Sequence, residues 1–595
     1  MEIAVAARGI TIAAAGDPAR QVVRDASFSL AAGRALGIAG ESGSGKTALI
    51  QALFGYMRPG LVAAGGTVDY ASARAGRFVK LPIGQPRAFA AVRGRVVAMI
   101  PQSPSAMLDP IMTVGKQLLE VAPHRAAVLA GLADVGFADP ARIFKRYPHQ
   151  LSGGQRQRVA ISMALLLSPD VLVLDEATTD LDVVTQRTIL DLLQRLRARH
   201  GFALIAVSHD LRVLHALCDE LLVLHGGRVM ETGPFDTLMQ RPRHPYTARL
   251  VDRFLAGPLA GARQEAALAP IGTAGCGYLG HCALATAQCE AEPPLAEIGP
   301  GHASRCWFHA RVGLGAARAA AAASLVRPGA PVLTVAGLDA AHREPGLLAR
   351  RRVQVLHELS ITVNQGECLA IVGESGSGKS TLARVIVGLH PPERGKLEFE
   401  GERLAPRAAE RKLAVRRGLQ IVFQNPESAF NPRARIGDVL ARRVRLFEGA
   451  ADMTARLARL LAEVGLPVSY LERRPSQLSG GEKQRLAIAR ALIGDPRLLV
   501  CDEIVSALDV ETQARIVQLI ARLQRDRGLS TIFISHDLSV VAALADRIAV
   551  LQHGRLVEMG PSRAIMAGGR HAYTKLLIDT AFAEAPRELQ AAARE

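Results

Sequence analysis

Gly40-Glu41-Ser42-Gly43-Ser44-Gly45-Lys46-Thr47 has the composition of a loop built to hold a polyphosphate. Its glycines let successive backbone N–H groups turn inward, and a following helix adds the positive end of its dipole. Lys46 then reaches the β and γ phosphates and Thr47 offers a hydroxyl to magnesium. The loop recurs as Gly373-Glu374-Ser375-Gly376-Ser377-Gly378-Lys379-Ser380, followed by Thr381. A turn of merely structural purpose explains one such copy poorly and two hardly at all.

Two further constellations fit the same chemistry. Val171-Leu172-Val173-Leu174 runs into Asp175-Glu176, and Leu498-Leu499-Val500-Cys501 into Asp502-Glu503. A buried strand of this kind beside a phosphate loop places the aspartate near magnesium through water, while the glutamate orients and polarises the attacking water. The bland alternative is an apolar strand that ends in a solvated acidic pair; the matched spacing from Lys46 and Lys379 weighs against it. Ser152-Gly153-Gly154 and Ser479-Gly480-Gly481 each open a helix-forming stretch, and N–H groups with a serine hydroxyl at a helix start make a second anion site. One nucleotide does not need two such sites within one domain. The economical expectation is a composite pocket in which the phosphate loop of one repeat faces the Ser-Gly-Gly helix of the other.

The elements that position these residues are legible too. Apolar runs Ala35-Leu36-Gly37-Ile38-Ala39 and Cys368-Leu369-Ala370-Ile371-Val372 precede the loops, and Ala48-Leu49-Ile50-Gln51-Ala52-Leu53 reads as the helix behind the first. Subtracting positions, Lys46 to Lys379 is 333 residues, while Ser152 to Ser479, Asp175 to Asp502 and His209 to His536 are each 327. Two homologous α/β domains in tandem follow.

A chain of 595 residues exceeds one core, and an apolar fraction of 49% with 21% charge indicates globular domains throughout. No apolar run reaches the roughly 18 to 20 residues needed to cross a bilayer. Met1-Glu2-Ile3-Ala4-Val5 lacks the features of a signal peptide, so a cytosolic location is expected, where seven cysteines argue against structural disulfides. Subtracting 55 acidic from 72 basic residues gives +17, which suits an anionic partner: nucleotide, nucleic acid or the inner membrane face. Cys276, Cys282, Cys289 and Cys306 cluster between the repeats with five, six and sixteen residues separating them. Clustered thiolates in a reducing compartment point to metal, although the close Cys-x2-Cys pairs of zinc ribbons are missing. Cys218, Cys368 and Cys501 lie in apolar runs and read as small core residues.

Taken together, these motifs resemble the nucleotide-binding subunits of ATP-binding cassette (ABC) transporters over nearly the whole chain. The resemblance implies two ABC-type phosphate-loop ATPase domains of α/β class, each a RecA-like core with a helical signature subdomain. It implies domains at 1–255 and 331–583, a cysteine-rich extension and linker at 256–330, and a polar tail at 584–595. By the same likeness Gln102 and Gln424 are Q-loop residues that touch magnesium together with Thr47 and Ser380, and His209 and His536 contact the γ phosphate. Thr179-Asp180-Leu181-Asp182 and Ser506-Ala507-Leu508-Asp509 are then D-loops.

Gln102-Ser103-Pro104 with Leu108-Asp109-Pro110, and Gln424-Asn425-Pro426 with Phe430-Asn431-Pro432, are similar to Q-loop extensions of the peptide-importer branch. So are His244-Pro245-Tyr246-Thr247 and its variant His571-Ala572-Tyr573-Thr574. That branch implies ATP-driven uptake of di- or oligopeptides from the cytoplasmic face of the inner membrane. Its partners are two transmembrane permease subunits and an extracytoplasmic substrate-binding protein, with no nucleic acid. Related importer ATPases carry a 4Fe–4S cluster in the cysteine segment, which favours that group there over zinc or free thiols. The sequence departs from the family pattern in lacking an aromatic residue near Asp17 or Arg350, and in carrying Ile504, Asp180 and Glu482 at motif positions. The rival expectation is a tandem ATPase that acts on ribosomes. It would need a long charged helical arm between the repeats, whereas residues 261–330 hold five Arg against four Glu amid Pro, Gly and Cys. A DNA-repair ATPase of the superfamily would need zinc-type cysteine pairs and large insertions, which are absent from the sequence.

Overall fold

Five-residue apolar runs, too short for helices and polar on neither face, form parallel strands covered on both sides. The computed structural model describes residues 3–41, 43–72, 77–104, 107–178, 181–256, 275–313, 329–344, 351–449, 452–506, 508 and 510–582. In the first repeat the buried strand Ala35–Ala39 lies parallel to Ala203–Val207 on one side and Glu220–His225 on the other. Val171–Asp175 pairs parallel with Ala203–Val207, and Val97–Ile100 closes that edge. At the opposite edge Arg228–Pro234 folds back antiparallel on Glu220–His225.

The cysteine segment joins the same sheet. His302–Ser304 pairs with Arg228–Pro234, and Ala296–Gly299 pairs with His302–Ser304, so among the described residues the first sheet has eight strands. The second repeat has the corresponding six: Leu419–Val422, Leu498–Asp502, Ser530–Ile534, Cys368–Val372, Arg547–Gln552 and Arg555–Pro561. Each repeat adds a four-stranded antiparallel sheet, built on Ile3–Ala14 with Asp17–Ala31 and on Pro331–Glu344 with Arg351–Asn364.

Helices Val114–Val121, Arg125–Asp134 and Gly153–Leu165 make the helical part of the first repeat, and Ile436–Phe447, Met453–Glu463 and Gly480–Leu492 that of the second. Their apolar faces share a buried cluster with one face of the adjoining parallel sheet. Contacts divide the chain into two compact units, essentially the first repeat with the cysteine segment and the second repeat. Among the described residues no helix is long and apolar enough to cross a membrane. Cys218, Cys368 and Cys501 are buried in the cores, and burial pushes each thiol well above its ordinary range. The alanine run 319–323 and the tail 584–595 lie outside the described residues.

Candidate active sites

The predicted loop lysines, carboxylates and histidines emerge at the C-terminal ends of neighbouring parallel strands, the place where open α/β sheets bind ligands. The first loop leaves strand Ala35–Ala39 at Gly40 and enters helix Lys46–Leu53 at Gly45. Gly40 has φ 154°, and a Cβ there would stand 2.1 Å from the Leu224 carbonyl oxygen; Gly373, at φ 152°, meets Leu551 in the same way at 2.1 Å. Lys46 Nζ donates to the carbonyls of Gly40 (2.7 Å) and Glu41 (2.8 Å), and Lys379 Nζ to those of Gly373 (2.8 Å) and Glu374 (2.7 Å). Each loop thus holds its ammonium group at the mouth with its own backbone. Ser44 Oγ and Ser377 Oγ are buried in the loops without a hydrogen-bond partner among the described residues, and each hydroxyl can donate to an anion. Gly43, Gly376 and Gly378 also take positive φ, and Ser375 lies in the second loop. Ser42 lies outside the described residues.

Thr47 Oγ1 donates to Asp175 Oδ1 at 3.3 Å, and Ser380 Oγ to Asp502 Oδ1 at 2.9 Å. A hydroxyl and a carboxylate converging beside a phosphate loop are the hard oxygen donors that magnesium takes when phosphate and water complete its shell. Burial raises Asp175 and Asp502 above the usual carboxylate range, and the adjacent glutamates add to this, while the Thr47 and Ser380 hydroxyls oppose it.

Glu176 and Glu503 follow directly, in the left-handed backbone region at φ 48° and 49°. That conformation is unusual for a non-glycine residue and is held by Glu176 N–H to Val207 O at 2.9 Å and Glu503 N–H to Ile534 O at 3.0 Å. Gln102 Nε2 donates to Glu176 Oε2 at 3.2 Å and Gln424 Nε2 to Glu503 Oε2 at 2.9 Å. His209 Nδ1 stands 3.6 Å from Glu176, and His536 Nδ1 stands 3.8 Å from Glu503. Burial works to raise the Glu176 carboxyl, but the neighbouring His209 imidazole prevails and holds it below its ordinary value. Burial likewise opposes the charge on His209, and Glu176 overcomes it, so the imidazole titrates above its ordinary value.

Ser152 and Ser479 cap helices Gly153–Leu165 and Gly480–Leu492. Each serine accepts from the backbone three residues on, and the side chain of Gln155 or Glu482 accepts from the serine N–H in return. The second glycine of each motif is a packing requirement: a Cβ on Gly154 would lie 2.6 Å from Thr185 Cγ2, and one on Gly481 would lie 2.3 Å from Thr512 Cγ2. Thr179, Asp180, Ala507 and Asp509 of the D-loops lie outside the described residues, as does Arg350.

Burial is the first cause that raises Cys276, Cys282 and Cys306, the last to about 11, and each is raised further by charge at the other cysteines of the set. The four sulfurs therefore lie within electrostatic reach of one another. Among the described residues, however, no group of three or more His, Cys, Asp or Glu could hold a metal ion as placed. The 4Fe–4S expectation is thus not carried by the geometry, because sequence spacing fixes loop length and not the separation of sulfurs.

Sequence reasoning missed Ser44, Ser377 and the hydroxyls of Tyr246 and Tyr573, which accept from Glu41 N–H and Glu374 N–H at 2.9 Å each. Ser44 and Ser377 were visible as polar residues inside a glycine loop. The tyrosines, about 200 residues away in sequence, carried no signal of that contact.

The ABC transporter family matches residues 23–179 and 356–506, and the C-terminal region of oligopeptide/dipeptide transporters matches 230–289 and 557–594. The glutathione import ATP-binding protein GsiA of Escherichia coli K12 is 37% identical over 590 residues, covering 95% of this chain and 87% of that protein. The oligopeptide transport ATP-binding protein OppD of Mycobacterium tuberculosis is 36% identical over 608 residues, covering 96% of each. A solved ATP-binding cassette dimer in a post-hydrolysis state with ADP and Pi is 25% identical and covers 39% of this chain and 98% of that one, at a TM-score of 0.35.

Proposed function

The chain belongs to the ABC transporter family, and from that premise we propose that it is the ATP-hydrolysing, energy-coupling subunit of a peptide-class importer. The observation that carries the reading is the duplicated constellation: in each repeat a loop lysine, a hydroxyl–aspartate pair and a Gln–Glu–His set share one sheet end.

The loop N–H groups and Lys46 or Lys379 bind and orient the terminal phosphates of ATP, with Ser44 and Ser377 as additional donors. Thr47 with Asp175, and Ser380 with Asp502, would hold magnesium, which would supply neutralising charge to the phosphates. Glu176 or Glu503 accepts a proton from water as its oxygen attacks the γ phosphorus, and the bond to the β–γ bridging oxygen breaks to leave ADP. The depressed Glu176 favours its ionised form, able to accept, and His209, whose protonated form Glu176 favours, is assigned to the γ phosphate. Gln102 and Gln424 report on the same carboxylates. A difference in ATP and ADP affinity between two conformations then supplies the driving force.

The proposed partners are two permease subunits with an extracytoplasmic binding protein, the location is the cytoplasmic face of the membrane, and the cargo is di- or oligopeptide. The relatives named for glutathione and oligopeptide import support that class. Domain boundaries at 1–255, 256–330, 331–583 and 584–595 belong to the same proposal. We also propose the four cysteines as the site of a 4Fe–4S cluster, on the strength of their clustering in the sequence. Anaerobically purified protein without iron, sulfide or broad visible absorbance would remove that group.

The decisive experiment is affinity purification of the Glu176→Gln, Glu503→Gln protein from detergent-solubilised membranes with ATP, followed by mass spectrometry. Two multi-spanning proteins are expected alongside it. Ribosomal proteins without a membrane partner would overturn the reading.

A further inference from the structure

The His-x-Tyr-Thr motifs are built twice to one plan that ends on the phosphate loop. In the first repeat the buried carboxylate of Glu231 accepts from the backbone N–H groups of Arg243 (2.7 Å) and His244 (2.9 Å). His244 Nδ1 accepts from Tyr246 N–H at 3.0 Å, and the fully buried Tyr246 hydroxyl accepts from Glu41 N–H. Burial keeps His244 neutral by lowering it to about 3, as an acceptor nitrogen requires. The second repeat repeats each bond: Glu558 to Arg570 and His571 N–H (2.7 and 2.9 Å), His571 Nδ1 to Tyr573 N–H (3.2 Å), and Tyr573 to Glu374.

The peptide so held is the one gripped by the loop lysine. The Gly40–Glu41 peptide is fixed through its N–H by Tyr246 and through the Gly40 carbonyl by Lys46 Nζ. A phosphate that recruits the ammonium group takes away the second restraint, and the tyrosine hydroxyl is then what keeps the mouth of the loop in place.

In the first repeat the cysteine segment also grips this brace. His302 Nε2 bonds Glu231 Oε1 at 2.7 Å, and Tyr278, which lies between Cys276 and Cys282, packs on Tyr246 at 5.5 Å, on His225 at 5.5 Å and on His244 at 6.0 Å between ring centroids. His225 in turn stands 3.8 Å from the Glu41 carboxylate. The cysteine segment therefore touches the brace at its root and at its tip. At the position that matches His225, 327 residues on, the second repeat has Gln552.

We propose that Tyr246 and Tyr573 are positioning residues for the two phosphate loops, and that the cysteine segment, through Tyr278 and His302, sets nucleotide affinity at the first loop alone. This rests on the reading that both loops bind ATP, and the test separates the two. Binding of mant-labelled ADP is measured on the full chain in a Lys379→Ala background, which leaves the first loop, and in a Lys46→Ala background, which leaves the second. Failure of both backgrounds to bind would sink the nucleotide reading itself.

With binding established, Tyr246→Phe weakens the first site about three- to tenfold, the worth of one net hydrogen bond. Tyr573→Phe does the same at the second. In the otherwise unmodified chain each raises KM for ATP and leaves kcat within about twofold, because the hydrolytic glutamates are untouched; a general loss of fold would lower kcat as well. Tyr278→Leu weakens the first site and not the second, and Tyr278→Phe restores it. Should Tyr278→Leu fail to fold, His302→Gln loosens the other end and must show the same selectivity. Unchanged affinity in Tyr246→Phe and Tyr573→Phe, or equal weakening of both sites by Tyr278→Leu or His302→Gln, overturns the proposal.

Discussion

The two repeats agree where bonds are made and broken and differ around the rim. Hydroxyl–aspartate, Gln–Glu and Glu–His contacts recur within a few tenths of an ångström. Around them, the first sheet gains two strands and a thiol-bearing segment, whereas the edge strand Arg555–Pro561 of the second is largely part-exposed. Phosphoryl transfer tolerates little change in the placement of loop, magnesium donors and base, because its catalysis is almost entirely positioning and charge. The edge of the sheet is free of that demand, and there the copies have diverged. The lesson is that equality of chemistry and inequality of control can be tested separately.

Equality is broken most severely at the base. Glu176→Gln and Glu503→Gln should each preserve ATP binding and cut the turnover of their site by roughly 10² to 10⁴, the range for losing a positioned base. Steady-state phosphate release with parallel binding measurements checks this, and turnover that survives in the double variant would remove both assignments. The loop glycines give the next largest effect and a sharper contrast. A Cβ on Gly45 (φ 98°) meets the backbone oxygen of Val22 at 2.7 Å, whereas one on Gly378 (φ 100°) meets the movable Leu356 side chain first, at 2.6 Å. Both alanine variants carry the left-handed strain of about 1–2 kcal/mol. Gly45→Ala should therefore show the larger fall in denaturation midpoint, and the reverse order would contradict the account of the first loop.

What the sequence made legible is chemistry fixed by local spacing. A strand, a glycine loop and a lysine within a dozen residues, or a carboxylate pair at the end of an apolar run, hardly depend on the rest of the fold. The Tyr246 hydroxyl was not legible, since its partner Glu41 is 205 residues away and the bond is to a backbone N–H that carries no side-chain signature. Glu231 was hidden for the same reason: a lone carboxylate in a strand reads as solvated, and only the antiparallel return of Arg228–Pro234 buries it under Arg243 and His302. The cysteines show the opposite failure. Their clustering in sequence was plain, but the distances between sulfurs depend on turns that spacing does not encode.

A smaller effect separates the pH responses. In the folded chain Glu176 is depressed and His209 raised. The stabilisation from Glu176 is present above its unfolded value and lost as pH falls through the depressed one. That from His209 is present below its unfolded value and lost as pH rises through the raised one. In His209→Ala the main influences that hold Glu176 down are gone and only the Lys46 charge still opposes burial, so the acidic limb of the residual turnover should move to higher pH. A limb that stays in place would show that the pair does not govern the base.

The smallest expected effect tests the one departure inside a signature motif. Glu482 closes the cap on Ser479 N–H at 2.8 Å and also accepts from Tyr470 at 2.7 Å, so its carboxylate is doubly bonded where Gln155 makes the cap alone. Burial tends to raise this carboxyl, yet those hydrogen bonds hold it below its ordinary value. Glu482→Gln keeps the geometry of the cap and weakens two charge-assisted bonds to neutral ones, which should cost about 1 kcal/mol in stability. It should leave turnover within about twofold, since neither bond is made by the serine hydroxyl or the glycine N–H groups that face an anion. A tenfold change in turnover would mean that the negative charge of Glu482 acts on the nucleotide, and the two signatures would then be unequal in chemistry as well as in sequence.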